Sequence, residues 1–209
     1  MLIYTGITSG TKLEKIINLN MGIMISSSPT TSIVKDIGKV PCALDNGAFS
    51  AFRKGYPFQE DIFLSTLKSA YKNNIKLDFI VCPDIVAGGW RSLEFSKSWA
   101  NKLIGAPNLA LVLQDGMTVH SLGDISQFSY LFVGGTVEWK WKTAESWVEF
   151  AKANNKKIHI GQCGKIEYLL KCHALDIDSC DSTSFTINDS FDIIEMFYTL
   201  KTPLFNMAV

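Results

Sequence analysis

The 209-residue chain has no excess charge of either sign: 20 lysines and arginines are matched by 20 aspartates and glutamates. Binding to nucleic acid through bulk phosphate neutralisation is therefore excluded, and any contact with a polyanion has to be a local patch. No apolar run approaches the roughly 18 residues needed to cross a bilayer, so no membrane partner is expected. The five cysteines, Cys42, Cys82, Cys163, Cys172 and Cys180, are odd in number and form no Cys-x-x-Cys pair. Their spacing offers neither a disulfide framework nor a zinc cluster, and reduced thiols in a cytoplasm are expected. The N-terminal residues MLIYTGITSG lack the basic region and long apolar stretch of a secretory signal. No low-complexity or Pro/Gly/Ser-rich linker interrupts the chain, so one domain over 1–209 is expected. No dinucleotide-type Gly-rich turn is present.

What the chain does have is repetition of a different kind. Short apolar or β-branched runs recur at 2–5, 22–26, 42–45, 79–84, 109–114, 130–134, 158–161 and 176–181. Most are continuously apolar, as strands buried on both faces should be; the last, with Asp176, Asp178 and Asp181, is polar. Helix-period stretches lie between them. Phe58, Ile62, Leu67, Ala70 and Tyr71 share one face, and so do Ile193, Ile194, Phe197 and Leu200. The segments after the second, fifth and seventh runs are short. Strand–helix alternation of this kind predicts a compact α/β fold, a (β/α)8 TIM barrel; an open doubly wound sheet is the alternative.

In a (β/α)8 barrel the functional groups project from the C-terminal strand ends. Those ends carry Asp45-Asn46-Gly47-Ala48-Phe49, Pro83-Asp84, Gln114-Asp115-Gly116, Gly134-Gly135-Thr136, Gly161-Gln162-Cys163-Gly164 and Asp178-Ser179-Cys180-Asp181. Asp45, Asp84 and Asp181 thus converge on one face. Helix capping accounts for any one of them, but gathering three carboxylates costs electrostatic energy and points to a polar site. Asp115 reads as a cap or turn residue. The glycines at 47, 116, 134, 135 and 161 let backbone approach a flat ligand, although turn geometry explains each taken singly.

Several other features have a plain structural explanation. Trp139, Lys140, Trp141, Lys142 and Trp147 could stack bases and meet phosphates. The simpler expectation is tryptophans packed on the barrel with the lysines solvated. Gly89-Trp90-Arg91 could form a further pocket wall, and Arg53-Lys54 a phosphate contact, with a solvated loop the simpler expectation. His159 is expected as a satisfied core histidine, and Cys163 and Cys180 as small packing residues.

The ordered motifs resemble those of the tRNA-guanine transglycosylase superfamily, and within it the small phage-type enzymes that place 7-deazaguanines in DNA. Residues 45–49 resemble that family's Asp-Ser-Gly-Gly-Phe loop, and Val112-Leu113-Gln114-Asp115-Gly116 its Val-Gln-Gly-Gly strand end. Phe132-Val133-Gly134-Gly135 resembles its Ile-Gly-Gly segment, and Asp178-Ser179-Cys180-Asp181 its Asp-x-x-Asp strand. The resemblance implies that Asp181 is a nucleophile and Asp45 a general acid/base. It further implies that Asp84, Gln114, Gly134, Gly135, Gly47, Phe49, Asp178 and Gly161 bind substrate, with a purine or 7-deazaguanine base as partner. The family's Cys-Cys-Cys-His zinc spacing is missing, and only 26 residues follow Thr183. A barrel without the zinc-binding subdomain, with no metal and no cofactor, is therefore expected. DNA is the expected polymer rather than tRNA, in the host cytoplasm if the chain is phage-encoded. Two other readings stay open: an N-glycoside hydrolase acting on a nucleoside or nucleotide-derived molecule, and a non-catalytic base-binding barrel.

Overall fold

A computed structural model of the chain describes residues 1–201. Eight parallel strands pair in sequence order and close on themselves: β1 Leu2–Gly6, β2 Gly22–Ser26, β3 Cys42–Asp45, β4 Leu77–Val81, β5 Leu109–Leu113, β6 Phe128–Val133, β7 Lys157–Ile160 and β8 Ser179–Asp181. The closing pair, β1 with β8, aligns Tyr4 with Asp181. The chain is a (β/α)8 barrel. Around it run helices α1 Thr11–Asn18, α2 Ala48–Arg53, α3 Glu60–Lys72, α4 Trp90–Lys102, α5 Val137–Ala153, α6 Ile166–Ala174, α7 Ser184–Ile187 and α8 Asp192–Leu200. The connections after β2 and β5 shrink to single 3₁₀ turns, Lys35–Lys39 and Val119–Ser121, and α6 is nine residues long. Among the described residues no helix is long and apolar enough to cross a membrane.

Side-chain alternation along each strand makes two layers. One set, including Tyr4, Met24, Ala43, Phe79, Val81, Ala110, Val112 and Tyr130, fills the barrel. The other, including Ile3, Ile23, Leu44, Ile80, Leu111, Leu131 and Ile160, packs outward under the helices. This outward layer is what makes the strand sequences read as unbroken apolar runs. In α3 the stripe Phe63, Thr66, Leu67 and Ala70 faces inward, and Phe58, Phe63 and Phe95 meet Trp99 of α4 ring to ring at 5.6–6.4 Å.

The eighth strand is shorter than its sequence suggests. Asp176 has φ +57 and follows α6 as a left-handed turn residue, a conformation that Asp tolerates better than most residues. The strand therefore begins only at Ser179. The same alternation that sends Cys180 outward sends Ser179 and Asp181 inward.

Candidate functional site

At the C-terminal end of the barrel lies a cavity of about 850 Å³, lined by Asp45, Asp84 and Asp181 among others. The loop after β3 builds one wall. Gly47 holds φ +78, and a Cβ there would come within 2.1 Å of the Ser27 carbonyl oxygen, so only glycine fits this turn. The turn brings the Gly47 N–H to Asp45 Oδ2 at 3.1 Å and the Ala48 N–H to Asn46 Oδ1 at 2.8 Å. Phe49 and Phe52, about half exposed, stand with Arg53 on α2 at the cavity mouth.

Burial pushes the Asp45 carboxyl up to about 7; the charges of Asp181 and Asp84 add to this, and the hydrogen bond from Gly47 opposes it. Burial also raises Asp84, to about 6, against hydrogen bonds from Asn46 and Gln114. Those bonds come from Asn46 Nδ2 to Oδ1 at 2.8 Å and from Gln114 Nε2 to Oδ2 at 2.5 Å. Asn46 Nδ2 also reaches the Cys82 carbonyl, and Gln114 Oε1 accepts from the Gly88 N–H at 3.1 Å. Gln114 therefore spends its amide on positioning Asp84 and the β4–α4 loop. The backbone N–H of Asp84 also approaches its own carboxylate, which keeps its remaining lone-pair capacity for a ligand donor.

Asp181 is oriented from beneath. His159 is wholly buried between the rings of Phe79 and Phe132. Its Nε2 lies 3.0 Å from Asp181 Oδ1 and its Nδ1 lies 2.9 Å from Ser179 Oγ. The core histidine expected from sequence is there and satisfied, and its partner is the strand-end aspartate. Spacing along the chain carries no sign of this contact: the β7–β8 register aligns His159 with Ser179.

Lys140 overturns the expectation of a solvated lysine. It is 2% exposed, lines the cavity, and donates to the Gly161 carbonyl at 2.5 Å. Burial pushes its ammonium down, opposed by nearby Cys163 and Asp181. The signal was periodic: Lys140, Ala144, Trp147, Val148 and Ala151 form one inward stripe of α5. The tryptophans do pack on the barrel, Trp147 fully buried and Trp141 stacked on Tyr168 at 5.2 Å.

Gly134 and Gly135 both line the cavity, but the Gly134 N–H is used by the Leu113 carbonyl in the sheet. A Cβ on Gly135 (φ +70) would collide with Asp115 Oδ2 at 2.5 Å and the Trp139 ring at 2.8 Å. Asp115 accepts from Thr136 N–H and Oγ1 at 2.7 and 2.6 Å, the turn role expected of it. Gly161 lies where a Cβ would meet the Phe132 ring at 2.8 Å.

Asp178 does not join the site. It sits before β8, at the opposite barrel mouth, where its Oδ2 accepts from the Ile158 N–H at 2.8 Å and it borders a separate hollow of about 460 Å³. Three residues before Asp181 is about 10 Å back along the strand direction, too far to share one face. Gly89, Trp90 and Arg91 also lie outside the cavity lining; Val86 and Ala87 occupy that wall. Eight described non-glycine residues have positive φ. Six are Asn or Asp; the other two, Ala87 (φ 56) and Gln162 (φ 64), both line the cavity. Such strain tends to gather at functional sites. No protein-family model and no curated protein matches this chain.

Proposed function

We propose that the chain is a base-exchange glycosyltransferase that replaces guanine by a 7-deazaguanine base, with DNA as the polymer. The observation that carries this reading is one cavity holding two carboxyls in contrasting settings: Asp45, held up at about 7, and Asp181, hydrogen-bonded to His159. Paired carboxyls in contrasting environments divide into a proton handler and a nucleophile.

Asp181 attacks the sugar C1′ as the bond from C1′ to the base nitrogen breaks. The electron pair leaves with the base, and Asp45 delivers a proton to it. The sugar is then held as an ester of Asp181. An incoming 7-deazaguanine gives its ring proton to the Asp45 carboxylate, its nitrogen bonds C1′, and Asp181 departs as carboxylate. Asp84 offers its free lone pairs to the donor edge of the base. The cavity volume is in the range that encloses a base with its sugar. Phe49, Phe52 and Arg53 at the mouth supply a stacking face and a cation for flanking nucleotides, the local patch that a neutral chain needs.

The test is incubation with guanine-containing DNA and a labelled 7-deazaguanine base. Wild type incorporates label, and Asp181→Ala loses about 10³-fold or more. Absence of label with DNA, tRNA and nucleosides alike, or equal labelling by Asp181→Ala, overturns the reading. Release of free guanine without an added base identifies a hydrolase instead.

A further inference from the structure

Behind the wall that carries Asp181 lies a second cluster. Cys163 follows β7, Cys172 sits in α6 and Cys180 lies in β8, and all three are buried at 0% exposure in the core between the barrel and its helices. Their Sγ atoms lie within 4.8 Å of one another, with Cys163 and Cys172 at 3.7 Å. We propose that these three cysteines form a binding site for one thiophilic divalent cation of the zinc class, which ties β7, α6 and β8 together.

Three observations support it. Zinc–thiolate bonds of about 2.3 Å in a tetrahedral shell place sulfurs roughly 3.8 Å apart. The Cys163–Cys172 pair already has that spacing, and the other separations need to contract by no more than about 1 Å. The ligand set is purely thiol, which favours soft ions over magnesium, calcium or manganese. The carbonyls of Ile160 and Gly161, 3.5 and 3.8 Å from Cys163 Sγ, lie beside the cluster as donors for the remaining position. Cys42 and Cys82 belong to no such group among the described residues; each turns its thiol to a backbone carbonyl, at 3.3 and 3.2 Å.

The third observation is Lys140. Its buried ammonium makes no salt bridge among the described residues, and its hydrogen bond goes to the Gly161 carbonyl, which Cys163 also approaches. A buried cation with no anion in contact is costly. On binding, the three thiols release three protons to solvent and no electrons move. Three thiolates and a divalent ion leave one net negative charge next to Lys140, which balances it. With no thiol exposed, the ion enters during folding. The consequence is mechanical. Cys163 N–H bonds the Asp181 carbonyl at 2.6 Å, so a metal at the cluster stiffens the backbone on which Asp181 stands. The site does not depend on which reaction occurs in the cavity.

The test has two arms. Elemental analysis of protein expressed in zinc-supplemented medium should find about one zinc per chain. Refolding with Cd²⁺ should produce the ultraviolet thiolate-to-cadmium charge-transfer band at one equivalent and raise the urea midpoint. Cys172→Ser/Cys180→Ala should lose both signals, while Cys42→Ala/Cys82→Ala keeps them. Natively folded wild type (by circular dichroism) that binds no zinc and shows no cadmium band overturns the site, and so does a band that persists in the Cys172→Ser/Cys180→Ala variant.

Discussion

At Asp45, burial and two neighbouring carboxylates act in the same direction, and the carboxyl keeps its proton up to about pH 7. An acid that must donate to a departing base works while it is protonated. Exchange should therefore fall as pH rises through about 7, and Asp45→Asn should abolish that limb along with most of the rate, as a pH–rate series would show. Lys140 makes a different prediction. Its ammonium is pinned between the Gly161 carbonyl and the cavity, so Lys140→Met should keep the fold while weakening binding of an anionic substrate about tenfold. Equal affinities, measured by titration calorimetry with a nucleotide, would show that Lys140 is structural only. His159 is a positioning residue, since it reaches Asp181 and lies beneath it.

Between elements, the Asn46–Asp84–Gln114 chain joins the ends of β3, β4 and β5. Removing the Gln114 donor leaves polar groups unpaired. Gln114→Leu should cost ~1–3 kcal/mol in urea denaturation, because Asp84 Oδ2 and the Gly88 N–H lose their partner. It should also raise the Asp84 carboxyl further, since a hydrogen bond that lowers it is gone. Gly47→Ala should cost ~2 kcal/mol or more through positive φ and the clash with the Ser27 carbonyl, moving the β3–α2 turn and Asp45 with it. A crystal structure of that variant with an unshifted Asp45 would contradict this.

For the molecule as a whole, the site opposes stability. Asp45 and Asp84 titrate near 7 and 6 when folded, against about 3.9 when unfolded. Between those values the folded chain holds more protons than the unfolded one, so stability falls as pH rises from about 4 to about 7. The urea midpoint should be higher at pH 5 than at pH 8. Asp45→Asn should recover on the order of 1–2 kcal/mol at pH 8 and little at pH 4. A midpoint that rises between pH 5 and 8 in wild type, with no gain in the variant, would refute this account.

Apolar runs and their spacing were enough to indicate eight buried strands in a closed order and to put Asp45, Asp84 and Asp181 at one end, because burial on both faces and the period of a helix are short-range properties written along the chain. Lys140 was misread as solvated: it opens a stripe continued by Ala144 and Trp147, a periodic signal that its charge masked. Asp178 was misplaced because similarity of a four-residue motif says nothing about which end of a strand each residue occupies. The contact of His159 with Asp181, the use of Gln114 on Asp84, and the meeting of Cys163, Cys172 and Cys180 were decided only by tertiary structure. The first and the last depend on how β7 and β8 are staggered as the barrel closes and on which face of α6 settles over them; the second depends on how the ends of β4 and β5 lie side by side. Register and closure are set by the packing of all eight strands together, so no local spacing records them.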